Sequence, residues 1–301
     1  KRRIDIRAQE IEQLKLGEAA VTADQSQFGL GPAASKIYRT QRGVSIGGYG
    51  EMVYNNFATK KDDGSAAGKG DQSDFLRAII YVGYKFNNKW LLNTEFEFEH
   101  ASTGKAGEAS AEFVHLEYTY RPEFNLRFGL LLVPMGLVNE LHEPTVYMGT
   151  NRPDIEQAII PSTWRENGLG IYGDTGVISY RAYLVSGFKG AGFSSKGLRG
   201  GRQKGSKALT DHFALTGRID VRPRPGVTLG GAFYGGYSGQ DLLNGTDKIN
   251  VPTGLFEGHV DIRHKGLWIS ALGAYSKLGE VADLNNVLGL TGNNSIGKTL
   301  S

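Results

Sequence analysis

None of the 301 residues is cysteine. A disulfide framework, a zinc–thiolate site and a thiol nucleophile are therefore excluded. Proline is scarce, at 9 residues, while Gly (43), Tyr (14) and Phe (14) are plentiful. That balance fits many strands joined by tight turns better than a loop-rich chain. No run of 18 apolar residues occurs, so no transmembrane helix is present. A membrane is not thereby excluded. A transmembrane strand needs only about 9–11 residues, with alternate side chains facing lipid, and its averaged hydropathy looks soluble. Net charge is near balance, at +3, and gives no whole-chain argument for nucleic acid. No signal peptide is visible before Lys1, so the reading expects a mature or trimmed N-terminus.

Residues 4–17 predict a short helix. Ile4, Ala8, Ile11 and Leu14 recur at helical spacing, and Gly17 marks a stop. The segment is either an amphipathic helix packed on the protein or the end of an oligomerising coiled coil, although Arg7 interrupts the apolar seam. The expected organisation is an N-terminal helix in 1–20, a linker in 21–42, and a β-barrel in 43–301 that is incomplete at its C-terminus.

From Val44 the period changes to two. Eleven strands are expected near 44–56, 75–86, 90–100, 109–121, 126–133, 165–173, 177–187, 211–222, 227–237, 254–264 and 267–276. Their connections alternate between long (57–74, 101–108, 134–164, 188–210, 238–253) and short. In outer-membrane barrels short turns face the periplasm and long loops face outward. Here every long interval falls on one side.

The faces alternate as well. Leu76, Ala78, Ile80, Val82, Tyr84 and Phe86 oppose Arg77, Tyr81 and Lys85. Trp90, Leu92, Phe96 and Phe98 oppose Asn93, Glu95, Glu97 and Glu99. Phe213, Leu215, Ile219 and Val221 oppose His212, Thr216, Arg218, Asp220 and Arg222. A soluble sandwich would alternate too, with the apolar row inward. Strands longer than the usual 5–6 residues, and aromatics such as Tyr84, Phe86, Trp90, Tyr118 and Tyr120 beside the short turns, favour a membrane barrel with an interfacial girdle. The fold class expected is all-β: a transmembrane antiparallel up-and-down barrel, sixteen-stranded when intact, with about eleven strands present.

Catalytic signatures match by letter only. Gly292 to Thr299 fits a phosphate-loop pattern, but the chain stops too soon for the helix that would hold the phosphates. Gly168, Gly170 and Gly173 fit a dinucleotide fingerprint, but a turn follows where a helix is needed. Asp174-Thr175-Gly176 spells the aspartic-protease triplet without a second such triplet to share the proton. No catalytic set, cofactor or metal site is expected. His142 beside Glu140 and Glu143 is the one arrangement open to a cation reading, against plain loop side chains.

The inward rows carry charge in arcs. One arc holds Glu95, Glu97, Glu99 and Glu117, with Arg77 and Lys85. The next holds Arg127, Arg165, Arg181, Arg218 and Arg222. Separate acidic and basic walls would set a transverse field and ion selectivity. The third long interval, 134–164, is 31 residues and unusually apolar (Leu137, Val138, Val146, Ile155, Ile159, Ile160, Trp164). A structured loop of that length is usually functional. It is expected to fold inward, with Glu140, His142, Glu143 and Arg152 at the constriction, or else to pack outside against a neighbouring subunit. The fourth carries Lys189, Lys196, Arg199, Arg202, Lys204 and Lys207 and no acid. It would gather anions at a mouth, contact lipopolysaccharide, or simply be solvated.

The stretches GGYGEMVYNN (Gly47–Asn56), LLLVPMGLVNELHEP (Leu130–Pro144), IIPSTWRENGLGIYG (Ile159–Gly173) and GLRGGRQKGSKA (Gly197–Ala208) resemble Gram-negative porins grouped with the phosphate-selective O and P porins. The resemblance covers most of residues 44–276. It implies a sixteen-stranded homotrimer with an inward third loop. Selective members use a dense Arg and Lys lining; this chain departs from that by its glutamate row. The reading is a passive channel in the bacterial outer membrane for small hydrophilic solutes or ions, leaning weakly to anions, with its N-terminus periplasmic. The partners expected are lipid and lipopolysaccharide. Its rivals are a structural outer-membrane anchor, with the N-terminal helix as a tether, and an outer-membrane enzyme, for which no Ser/His/acid set is visible.

Overall fold

The computed structural model describes residues 25–101, 107–149 and 151–301. The helix expected at 4–17 lies outside the described residues. The strands are β1 Gly43–Asn55, β2 Gln72–Lys85, β3 Trp90–Glu99, β4 Ala109–Arg121, β5 Phe124–Leu132, β6 Arg165–Asp174, β7 Ile178–Ser186, β8 Phe213–Arg224, β9 Val227–Tyr237, a small hairpin of β10 Leu243–Asn244 and β11 Asp247–Lys248, then β12 Pro252–His264, β13 Leu267–Leu278 and β14 Thr299–Leu300. Each long strand pairs antiparallel with the next, giving one up-and-down sheet in the order β1 to β9, β12, β13, β14. All eleven expected strands are present, displaced at their ends by no more than three residues. Among the described residues the sheet is not closed: β1 pairs only with β2, and β14 adds two residues beside β13.

Local chemistry sets the register. After β2, the Asn87 Oδ1 accepts from the backbone N–H of Lys89 (2.8 Å) and of Trp90 (3.0 Å), fixing a tight turn by an Asx bond. Asp174-Thr175-Gly176 is a hairpin turn. Asp174 Oδ1 accepts from Gly176 N at 2.7 Å, and Gly176 has φ +87°, a conformation costly for any side chain. The would-be dinucleotide glycines lie in β6, where a Cβ on Gly170 would come within 2.1 Å of the Ala182 carbonyl. At the would-be phosphate loop, residues Gly292–Asn294 form a 3-10 turn, followed by β14 and no helix.

The two faces are inverted relative to a soluble sandwich. Outward-pointing Ile80, Ile219 and Phe256 are 43%, 57% and 60% exposed, whereas inward Glu95 and Thr216 are at 0%. Apolar side chains stand outside and polar ones are enclosed, which is the amphipathicity of a transmembrane barrel wall. At the short-turn end, the aromatics Tyr84 and Phe86 meet edge to face at 5.0 Å or closer (4.9 Å), as do Trp90 and Tyr118 (5.0 Å).

What fills the concave side differs from expectation. Residues 25–42, read from the sequence as part of a linker, are packed against the wall. Leu30, Ala33, Ala34, Ser35 and Ile37 are buried there, Lys36–Arg39 make one helical turn, and Leu30, Ala33 and Ala34 share a core with Ile79, Tyr81, Phe113 and Leu132. Each large apolar side chain so buried stabilises by about 1.5–3 kcal/mol. The loop between β5 and β6 lies on the same side. Its Val133, Met135, Ile160 and Trp164 build a second core with Tyr183, Val185, Phe188 and Tyr234. Trp164 stacks on Phe188 at 4.4 Å.

Candidate functional site

The concave wall carries the charged residues, and three clusters organise them. The first centres on β4 and β5. Opposed in the ladder, Glu117 and Arg127 form an ion pair at 3.1 Å. His115 Nε2 lies 2.7 Å from Glu117. Tyr38 donates to Glu117 Oε1 at 2.8 Å, and Tyr172 donates to its other oxygen. Arg127 donates to the hydroxyls of Tyr38 and Tyr183, each at 2.9 Å, and lies over the Tyr172 ring at 4.4 Å. Every polar atom of the pair thus finds a partner, which a buried ion pair requires. Burial, then the Glu117 charge, pushes the Tyr38 hydroxyl well above its ordinary pKa.

The second cluster spans the third long loop and strands β7 to β12. Arg181 bridges Glu140 at 3.0 Å and Asp220 at 2.7 Å. Arg218 holds Asp220 at 2.9 Å and donates to the Gly136 carbonyl. His259 sits between Asp220 (2.8 Å) and Glu257 (2.9 Å). Glu257 and His259 escaped the sequence reading. The signal was there: they are two residues apart on the inward row of an expected strand, the geometry that had singled out Arg218 and Asp220.

The third cluster lies toward the outer end. Arg77 meets Glu51 (2.9 Å) and Glu97 (3.1 Å), and Arg165 meets Glu112 (2.8 Å). Arg199 donates to the Ser162 carbonyl, Arg202 to those of Pro161 and Thr163, and Arg152 to the Thr163 hydroxyl at 2.8 Å. Three arginines therefore gather at one strap of loop backbone. Burial lowers the Arg202 pKa to about 10, helped by neighbouring Arg199; burial and then Arg152 lower that of Arg199.

The loop residues do not converge as one group. Glu140 turns to Arg181. His142 Nε2 meets Glu95 at 2.9 Å, and Glu143 accepts the Ala33 N–H at 2.9 Å. The cation reading of these three is accordingly not assembled, and among the described residues no group of three His, Asp or Glu is placed for a metal. Burial raises the carboxyl pKa of Glu140 against the pull of Arg181, and burial likewise raises that of Glu143. Burial opposes charge on His142, but Glu95 outweighs it and the imidazole pKa is raised. Arg152 stands apart from them, on Thr163.

The residues of the expected acidic and basic arcs are placed as follows. Glu95, Glu97, Glu117, Arg127, Arg165, Arg181 and Arg218 are buried and not a solvent-facing lining among the described residues. Opposite charges pair across neighbouring strands and with the loop, because residues 25–42 and 133–164 occupy the concavity. Glu99 and Lys85 are partly exposed, with Lys85 donating to the Tyr38 carbonyl at 3.3 Å. Arg222 is also partly exposed and pairs with Asp174 at 2.5 Å. In the basic loop, Lys189, Lys196 and Lys207 are exposed, Arg199 and Arg202 fold back onto the 161–163 backbone, and Lys204 reaches Glu108 at 2.9 Å.

This is a polar-inside, apolar-outside β-sheet of the transmembrane up-and-down class. No protein-family model matches the chain. An uncharacterized protein of Aquifex aeolicus (strain VF5) is 43% identical over 258 residues, covering 84% of this chain and 57% of that protein. The chain thus spans little more than half the length of that relative. Among solved structures, the loop-L8 deletion mutant of OmpT, an outer membrane protein of Vibrio cholerae, aligns with 79% of this chain and 70% of its own, at 11% identity and TM-score 0.48. The outer membrane channel DcaP of Acinetobacter baumannii aligns with 78% and 64%, at 13% identity and TM-score 0.48.

Proposed function

We propose that the protein is an outer-membrane porin: a passive channel for small hydrophilic solutes or ions, weakly favouring anions, with a periplasmic N-terminus and a trimeric assembly in lipid and lipopolysaccharide. The observation that carries this reading is the inverted wall, with Ile80, Leu169, Ile219 and Phe256 exposed outward and charged residues enclosed. Exposed apolar surface on that scale has no place in a monomer in water, and a lipid bilayer satisfies it. The alternation of long and short connections gives the direction across the membrane. Width at the loop 133–164 and the fields of the wall would decide passage. The arginines at Ser162–Thr163 and the lysines of 188–210 support the lean toward anions.

The filled concavity favours a second reading, a structural anchor with no conducting path. Planar-bilayer recording of the full-length protein separates the two. Conductance steps in threes, with a reversal potential toward the anion in a salt gradient, support the porin. A folded barrel that conducts nothing sinks it and leaves the anchor.

A further inference from the structure

We infer that residues 25–42 are an internal plug that seals the arc from β1 to β6 and keeps its charged residues out of the conducting path. This rests on the channel reading and says which part of the wall the path excludes. Three observations carry it.

The wall is shaped for the segment. A Cβ on Gly83 of β2 would come within 2.9 Å of the Ile37 side chain, so this strand glycine makes room where the segment docks. The reverse also holds. A Cβ on Gly31 would meet the Glu143 side chain at 2.3 Å, and one on Gly29 would meet Glu140 at 2.5 Å. The segment and the long loop interlock through backbone that carries no side chain.

The segment's main chain is held by wall and loop side chains. Asn93 donates to the Ala34 carbonyl at 2.9 Å, Arg127 to that of Phe28 at 3.3 Å, and Lys85 to that of Tyr38 at 3.3 Å. Glu143 accepts the Ala33 N–H. Buried backbone groups that would otherwise be orphaned are satisfied by β2, β3, β5 and the loop.

The plug has an edge. Beyond Phe28 and Gly29 opens a cavity of about 230 Å³, lined also by Glu140, Arg181, Arg218 and Asp220. The edge of the plug therefore borders free space beside the Arg181–Asp220–Arg218 cluster.

The test uses the full-length protein in bilayers. In one variant residues 26–40 are deleted; in another Ile37→Cys is combined with Gly83→Cys. The Gly83 Cβ position lies 3.1 Å from the Ile37 Cβ, so a small shift gives the roughly 3.8 Å of a disulfide. The pair is expected to cross-link in air, protecting both thiols from maleimide, with conductance equal to the parent. The deletion is expected to raise single-channel conductance, because the wall of β1 to β6 joins the lumen. Free, fully labelled thiols in the folded pair overturn the plug, as does a folded deletion with the parent's conductance. If neither parent nor deletion conducts, the porin reading itself fails, and the two failures are told apart.

Discussion

The inward rows of β3–β5 and of the short-turn end of β12–β13 obey the same alternation yet meet opposite surroundings. Under residues 25–42 and the long loop, Glu95, Glu117 and Arg127 are closed off from solvent. Near the short-turn end of β12–β13, Arg263 is exposed and pairs with Asp261 at 2.9 Å, while Asp261 also accepts from the Trp268 indole at 2.6 Å. The lesson is that an inward polar residue is not by that fact a lining residue. Coverage, set by other parts of the chain, decides whether its charge is structural or available to a solute.

The sharpest way to break that comparison is to remove one charge from each side. Arg127→Met strips the partner of a buried carboxylate and should cost about 3–5 kcal/mol, whereas Arg263→Met at an exposed pair should stay within about 0.5 kcal/mol. Urea unfolding in lipid vesicles, followed by Trp fluorescence, measures both. Equal effects would mean that the covered arc is wetter than its geometry indicates.

Next comes Leu30→Ala, which opens a cavity between segment and wall. A loss of about 2–4 kcal/mol is expected, seen as faster hydrogen exchange in 28–40 while β12–β13 exchange unchanged. Uniform acceleration across the sheet would argue that the segment is part of the barrel's single cooperative unit.

The smallest effect is in pH. Glu140 and Glu143 are raised by burial, and His142 is raised by Glu95 over the opposing effect of burial. Each therefore binds its proton more tightly when the loop is docked. The associated stability is full below the unfolded values, near 4.3 for the glutamates and 6.5 for the histidine, and is lost as pH rises through the raised folded values. The Tm should fall from about pH 5 to about pH 8, and fall less in His142→Gln, which removes the histidine's share. A Tm that rises over that window would contradict the sign.

Much of this was legible in residues. Period two with apolar side chains opposite charge located the eleven strands, because the pleat forces side chains to alternate whatever surrounds them. Asn87 and Gly176 marked turns because their chemistry acts within a few residues. The segment 25–42 was read as linker for its small and polar residues. Leu30, Ala33, Ala34 and Ile37 do fall at helical spacing, but that row is too short and too small in side-chain volume to stand out. For Glu140, His142 and Glu143, proximity in sequence suggested one group, yet their side chains diverge to Arg181, Glu95 and Ala33.

The sequence by itself determined the strands, the hairpin order and which face is apolar, since each depends on spacing along the chain. Only the tertiary structure decided which acids meet which bases and which inward residues are covered. Those pairings join residues as far apart as Ala33 and Glu143, or Arg218 and Gly136, and no local period reports a contact made by a returning loop.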